Sequence, residues 1–373
     1  MKEEKKVEFI ELIYDLIFVY LIGRNASLLD RIEDGFISAG TFVYYLVSSL
    51  IILQIWNYTT LFINRFGKNS FSDKVMLLIN MFLLYIIGAN TLHGWEGSYL
   101  AFMGAWCLIL LNLAVQYLLK LRSAENELCR RVILQNVILL VLQAVIIGVS
   151  IPVHAATGVA FGQWAVLLSI AAVPVLSKIP TNFGHLTERV MLYVVFTFGE
   201  MVIIVAEYFA DGLSFETLYF ALASFLIVAG LFFSYGYVYD RLLDRSGERS
   251  GSGYMLLHVF IILSLSCVTT SMEFMRDPGA DSLPKTVMLV ISLIVFYLGL
   301  ALTEKWSYRE YRLRGQFLLL LAAEFIVFAA AMILSAGKGG YLTAAIALVF
   351  VYIQLGTLLL SGKHTHHRGQ RLI

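Results

Sequence analysis

Long apolar runs separated by short polar connections dominate the chain. Twelve runs lie at 7–24, 38–63, 73–92, 98–120, 130–150, 161–178, 187–207, 215–239, 253–273, 284–304, 315–335 and 340–361. Each is close to the roughly 20 residues that a helix needs to cross a bilayer. The runs are continuous, without the alternation of a membrane barrel, so they predict helices. The connections gather the Gly, Asp, Asn, Lys and Arg residues, and none is long enough for a soluble domain.

The basic residues add a direction. With the N-terminus in the cytoplasm, 22 of the 27 Lys and Arg fall on the cytoplasmic side. The other 5 (Arg24, Arg31, Arg276, Lys285 and Lys338) fall outside. Such an excess is the usual orientation signal, and one missed span would scramble every later loop. The pattern predicts an all-α polytopic membrane protein of 12 transmembrane helices with both termini inside. The opening MKEEKKVEFIELIYDL mixes charge signs and lacks a small-residue cleavage site. It reads as a retained helix and not as a signal peptide.

Polar positions also recur between the halves. Glu11 matches Glu188 at an offset of 177, and Asn64-Arg65 matches Asp240-Arg241 at 176. Arg131, Gln135 and Gln143 match Arg312, Gln316 and Glu324 at 181. Six helices is an even number, so both halves enter from the same side, as parallel transporter repeats do. The expected division is a first six-helix repeat over 1–180 and a second over 181–373, the latter with a short cytoplasmic tail.

Composition narrows the class. Of 373 residues, 59% are hydrophobic and 14% charged, with a net charge of +1. A soluble domain carries roughly 25% charged residues. This excludes an ordinary soluble enzyme, a disordered chain and a nucleic-acid binder. Cys107, Cys129 and Cys267 have neither disulfide nor zinc spacing. The chain has no Walker loop, no GxGxxG after a strand, no HExxH and no GxSxG. No cofactor or resident metal is expected, and the HTHH at 364–367 has tag-like spacing. FSDK at 71–74 reads as a helix start capped by Ser72 or Asp73. The expected partners are the lipid bilayer, a small solute or ion, and a second copy of the chain.

The informative residues are the acids inside the runs, because a carboxylate at the bilayer centre costs about 2.5–3.5 kcal/mol. Glu8, Glu11 and Asp15 lie three and four apart on one face of the first helix. Glu200 is mid-span in the seventh, beside Gly199, which would allow a neighbour to approach closely. Glu324 is mid-span in the eleventh, and Arg24 is a candidate counter-charge. These positions suggest a proton or cation relay lined by Glu11, Asp15, Glu200 and Glu324. The alternative is that each acid is neutral and serves packing alone. His185 and Glu188 can share a face, as a proton-handling pair or as part of a capped helix start. The intramembrane amides, Gln54 and Gln143 among them, read as interhelical ties.

Two strings carry a family likeness. VEFIELIYDLIFVYLIGR resembles the opening Glu-Leu-Phe-Phe-Asp-Leu-Val-Phe-Val of the bacterial low temperature requirement A family, with Glu11, Asp15 and Phe18 fitting. HLTERVMLYVVFTFGEMVIIV resembles its His-x-x-Glu-Arg signature followed by Gly-Glu. There His185, Glu188, Arg189, Gly199 and Glu200 fit, and Met191 stands where glycine is usual. Asn64, Arg65 and Phe66 resemble the family's end of helix 2. The resemblance covers nearly the whole chain and implies a bacterial integral membrane protein without a settled substrate. Tyr14-Asp15-Leu16-Ile17-Phe18 also looks somewhat like the Phe-Ser-Asp helix of a duplicated six-helix potassium and proton channel family.

Three functions remain open. The first is a transporter or permease with a carboxylate-lined path between two halves. It has Glu11, Asp15, Glu200, Glu324, His185, Glu188 and Arg189 as relay candidates, supported by Arg24, Asn64, Arg65, Gln143, Asp240 and Arg241. The second is a proton or monovalent cation channel. The third is a lipid-modifying enzyme using Glu11, Asp15, His185 and Glu188 at the cytoplasmic leaflet of the plasma membrane.

Overall fold

The computed structural model describes residues 6–124, 126–176, 180–210, 212–308 and 315–369. Arg312 and the side chains of the C-terminal histidines lie outside the described residues. The fold is all-α. Its helices are α1 (Phe9–Ala26), α2 (Ala39–Phe66), α3 (Phe71–Asn90), α4 (Gly94–Leu121), α5 (Glu127–Thr157), α6 (Val166–Leu176), α7 (Phe183–Glu207), α8 (Phe215–Tyr237), α9 (Ser252–Arg276), α10 (Ser282–Leu302), α11 (Gly315–Ser335) and α12 (Gly340–Gly369). Ten of these twelve, among the described residues, are long and apolar enough to cross a membrane. The exceptions have plain causes. α1 holds Glu11, Asp15 and Arg24 within 18 residues, and α6 has 11 residues in the described chain. Large apolar side chains such as Phe9, Phe82, Leu319 and Val327 are exposed on helix after helix. A water-soluble fold does not leave such faces bare, whereas a bilayer covers them.

Two compact units are present. The first gathers 1–29, 39–193 and 246–255, and the second 30–38, 194–245 and 256–373. In the first, α1 packs on α2 and α3, α4 on α3 and α5, and α2 on α4 and α6. Gly88 lets α3 come against Tyr20 and Leu21 of α1, where a Cβ would collide with both side chains. Two two-residue strands, β1 (Thr181–Asn182) and β2 (Glu248–Arg249), pair antiparallel at the start of α7. Ser70 caps α3 in a reciprocal box with Asp73. The cap is therefore one residue before the FSDK string, because Phe71 already opens the helix and Asp73 reaches back from the third position. Asp73 also pairs with Lys120 of α4 at 2.8 Å.

In the second unit α8 packs on α12, and α10 and α12 both contact α11. The end of α8 widens into a π-helical turn, Val238–Leu242, that leaves Asp240 and Arg241 exposed. Gly199 does not mediate a close approach, since a Cβ there meets nothing within 4 Å. The residue faces outward on α7, so glycine at this position has no packing role among the described residues.

Candidate functional site

The first unit buries four ionisable side chains together. Glu11 and Asp15 are one turn apart on α1, and His185 and Arg189 are one turn apart on α7. Residues i and i+4 stack on one helix face, so two facing helices present two acids to two bases. Asp15 and Arg189 are both 0% exposed, and Glu11 and His185 are 2% exposed.

Asp15 is held tightly. The Arg189 Nε donates to its Oδ2 at 3.1 Å, and a second guanidinium nitrogen donates to Oδ1. The Trp56 indole of α2 donates to Oδ1 at 2.8 Å. Such a forked pairing fixes geometry as well as charge. Aromatic rings close the site. Tyr193 lies 4.8 Å from the Trp56 ring and 5.9 Å from Phe18, and the Tyr14 hydroxyl reaches Thr59 at 3.0 Å.

Glu11 makes longer contacts with the two bases. Its Oε2 lies 3.2 Å from His185 Nε2 and 3.4 Å from Arg189 Nη1. Those three atoms are at ion-pair distance but outside hydrogen-bond angles.

The tautomer of His185 follows from its other neighbour. Asn64 Oδ1 accepts from the Asn182 backbone N–H at 3.0 Å, and Asn64 Nδ2 donates to the Asn182 carbonyl at 2.9 Å. This fixes which end of the amide is which. Asn64 Nδ2 then meets His185 Nδ1 at 3.0 Å, so Nδ1 accepts. The remaining proton is on Nε2, facing Glu11.

Glu11 also borders a cavity. A half-open space of about 270 Å³ is lined by Glu8, Glu11, Ile63, Lys68, Asp73 and Lys74, among others. Glu8, Lys68 and Lys74 are exposed at its rim, and Glu11 is buried at its floor. The cavity therefore reaches Glu11 from the surface, and behind Glu11 lie its contacts with His185 and Arg189.

The other sequence candidates separate from this cluster. Arg24 is half-buried in the last turn of α1, nine residues past Asp15, or about 13 Å along a helix. It is not the counter-charge of Asp15; Arg189 is. His185 pairs with Glu11 and not with Glu188, which is half-buried. Arg189 does not belong with the loop bases, because α7 begins at Phe183, four residues before the apolar run, and takes Arg189 into the core. Arg65 is half-buried beside Tyr117. Glu200 is half-buried on α7, with Glu207 as its charged neighbour. Glu324 accepts from Gln354 Nε2 at 2.8 Å and from Thr357 Oγ1 at 2.9 Å, both on α12. Gln143 bonds Ala165 and Ser169. Asp15 and Glu324 thus have entirely different partners. Trp56, Tyr14, Tyr193 and Asn182 had no sequence signal, since an aromatic or amide in an apolar helix reads the same whether or not it meets an acid.

No curated protein and no solved structure matches the chain. A family model, bacterial low temperature requirement A protein (LtrA), matches residues 6–352. Its span includes every member of the buried cluster and nearly all of the described helices, and the chain belongs to the bacterial low temperature requirement A family.

Proposed function

We propose that this protein is a multi-pass carrier of the bacterial plasma membrane that moves a small solute or ion in exchange with, or together with, a proton bound at Glu11. One observation carries the reading. A buried carboxylate at the floor of an open cavity sits beside a locked Asp15–Arg189 pair and within ion-pair distance of His185 and Arg189. A buried carboxylate is costly to keep charged, so a proton that reaches Glu11 through the cavity has a site to bind. Glu11 is the member of the cluster that lines the cavity. Proton arrival on Glu11 removes its charge and weakens its grip on His185 and Arg189. Such a change can bias two arrangements of α1 against α7.

In this reading the twelve helices all span, both termini are cytoplasmic, and the halves are parallel six-helix repeats. The cavity then opens to the cytoplasm, where the loop bases gather. Glu200 and Glu324 are left outside the proton step.

The test uses full-length protein in liposomes loaded with a pH-sensitive dye and a small-molecule fraction of bacterial extract. Wild type should move protons when the outside pH is stepped, and Glu11→Gln should not. Proton movement equal in the two proteins sinks the reading. Proton flux that needs no solute on either side, with unitary currents, replaces the carrier by a channel.

A further inference from the structure

The cavity at Glu11 has two unlike walls, both within the first unit. One wall is the start of α1. It supplies Glu8 at the rim and Glu11 at the floor, three residues apart on one helical face. The other wall is the turn from α2 into α3, with Lys68, Asn69, Asp73 and Lys74. The acid on this second wall is already engaged. Asp73 Oδ2 accepts from the backbone N–H groups of Lys68 at 3.1 Å and Ser70 at 3.4 Å, and Oδ1 meets Lys120 Nζ at 2.8 Å. The wall is therefore basic on balance. Lys68 and Lys74 flank the start of α3, where the positive end of the helix dipole adds to their field.

The opposite charges face one space without meeting. Among the described residues, Glu8, Lys68 and Lys74 form no ion pair with another side chain. A half-open space of about 270 Å³ lies between the acidic wall and the basic one. Charges set out for solubility alone need no sorting by sign, and none of them needs to be a buried acid at the floor of a cavity. Ile10, Ile63 and Leu77 complete the lining and leave the charge pattern to the two walls.

We propose that this cavity binds a small molecule carrying both signs, its ammonium group toward Glu8 and Glu11 and its carboxylate or phosphate toward Lys68 and Lys74. A ligand with one charge leaves the other wall without a partner. Drug-sized pockets span roughly 300–1,000 Å³, so this space suits a compact molecule. The same chemistry comes from a free amino-acid-like solute or from an aminophospholipid headgroup. Phe9 and Phe71, 76% and 83% exposed, adjoin cavity residues on α1 and α3 and offer acyl chains a surface. The inference rests on the carrier reading only in making this molecule the moved solute.

The experiment uses purified full-length protein. Isothermal titration calorimetry measures binding of glycine, serine, β-alanine and phosphoethanolamine, with ethylammonium and propionate as single-charge probes. Native mass spectrometry measures lipid retained from nanodiscs of phosphatidylethanolamine mixed with phosphatidylglycerol. At least one two-charge probe should bind saturably, and about tenfold or more tighter than either single-charge probe, which marks a free solute. Preferential retention of phosphatidylethanolamine, with no soluble probe bound, marks a headgroup. In both cases Glu8→Gln, and Lys68→Gln combined with Lys74→Gln, should each weaken binding by about tenfold. All three residues are exposed, so these variants should keep the fold. Arg122→Gln, which removes an exposed base outside the cavity, should leave binding intact. Binding of neither a soluble probe nor phosphatidylethanolamine overturns the site. Propionate binding as tight as that of the two-charge probes, or wild-type binding in both cavity variants, overturns it equally. Glu11-dependent proton movement without such binding overturns this inference alone. Such binding without Glu11-dependent proton movement keeps the site and removes the carrier.

Discussion

Asp15 and Glu324 are both carboxylates set among apolar helices, and they are held in opposite ways. Asp15 is wholly buried and takes its hydrogen bonds from a guanidinium and an indole. Glu324 is half-buried and takes its bonds from an amide and a hydroxyl, with no cation among them. The first arrangement stabilises a charged carboxylate away from water. The second serves a neutral carboxyl almost as well, because both donors remain useful to it. A mid-membrane acid is therefore informative through its partners more than its depth. Glu11 stands between the two, at ion-pair distance from a cation yet lining a cavity, and the proposed exchangeable proton is assigned to it for that reason.

The comparison breaks most visibly at Arg189. Arg189→Met leaves two buried carboxylates without their cation and should cost about 3–5 kcal/mol of stability. A thermal melt in detergent measures this, and Asp15→Asn in the same background should restore part of the loss. An unchanged melt would mean that Asp15 carries no charge. Trp56→Phe is next. It removes one hydrogen bond to a charged acceptor and should cost about 1.5–3 kcal/mol. A wild-type melt here would show that the arginine fork alone holds Asp15. Glu324→Gln should have the smallest effect, below about 1 kcal/mol, with proton movement in liposomes unchanged. A large loss of flux in this variant would merge the two acids into one pathway and end the contrast between them.

Much of the site was legible before the structure, and its wiring was not. Glu11, Asp15, His185 and Arg189 stand out as charged residues at family positions, and the helices follow from the apolar runs. The pairing was hidden by where α7 begins. Hydropathy starts that helix near 187, since His185 looks like a loop residue by composition and Arg189 sits at the run's polar edge. The Asn64–Asn182 bonds and the β1–β2 pairing start it at Phe183, and those contacts join residues more than sixty positions apart. Arg189 therefore reads as a topology signal in sequence and acts as a buried counter-charge in the fold. Arg24 drew attention because it shares a helix with Asp15, although distance along that helix keeps them apart. The amides show the same limit. Gln54 and Gln143 read as helix ties, and only the spatial arrangement reveals that their oxygens lack partners.

The central claim is that the exchangeable proton resides on Glu11, and a pH jump on protein adsorbed to a solid-supported membrane tests it most directly. Such a jump reports charge displaced by proton binding even before the transported solute is known. Wild type and Glu324→Gln should give a transient current of the same size, and Glu11→Gln should give none while still melting cooperatively. A full-sized transient from well-folded Glu11→Gln would place the proton elsewhere and contradict the account.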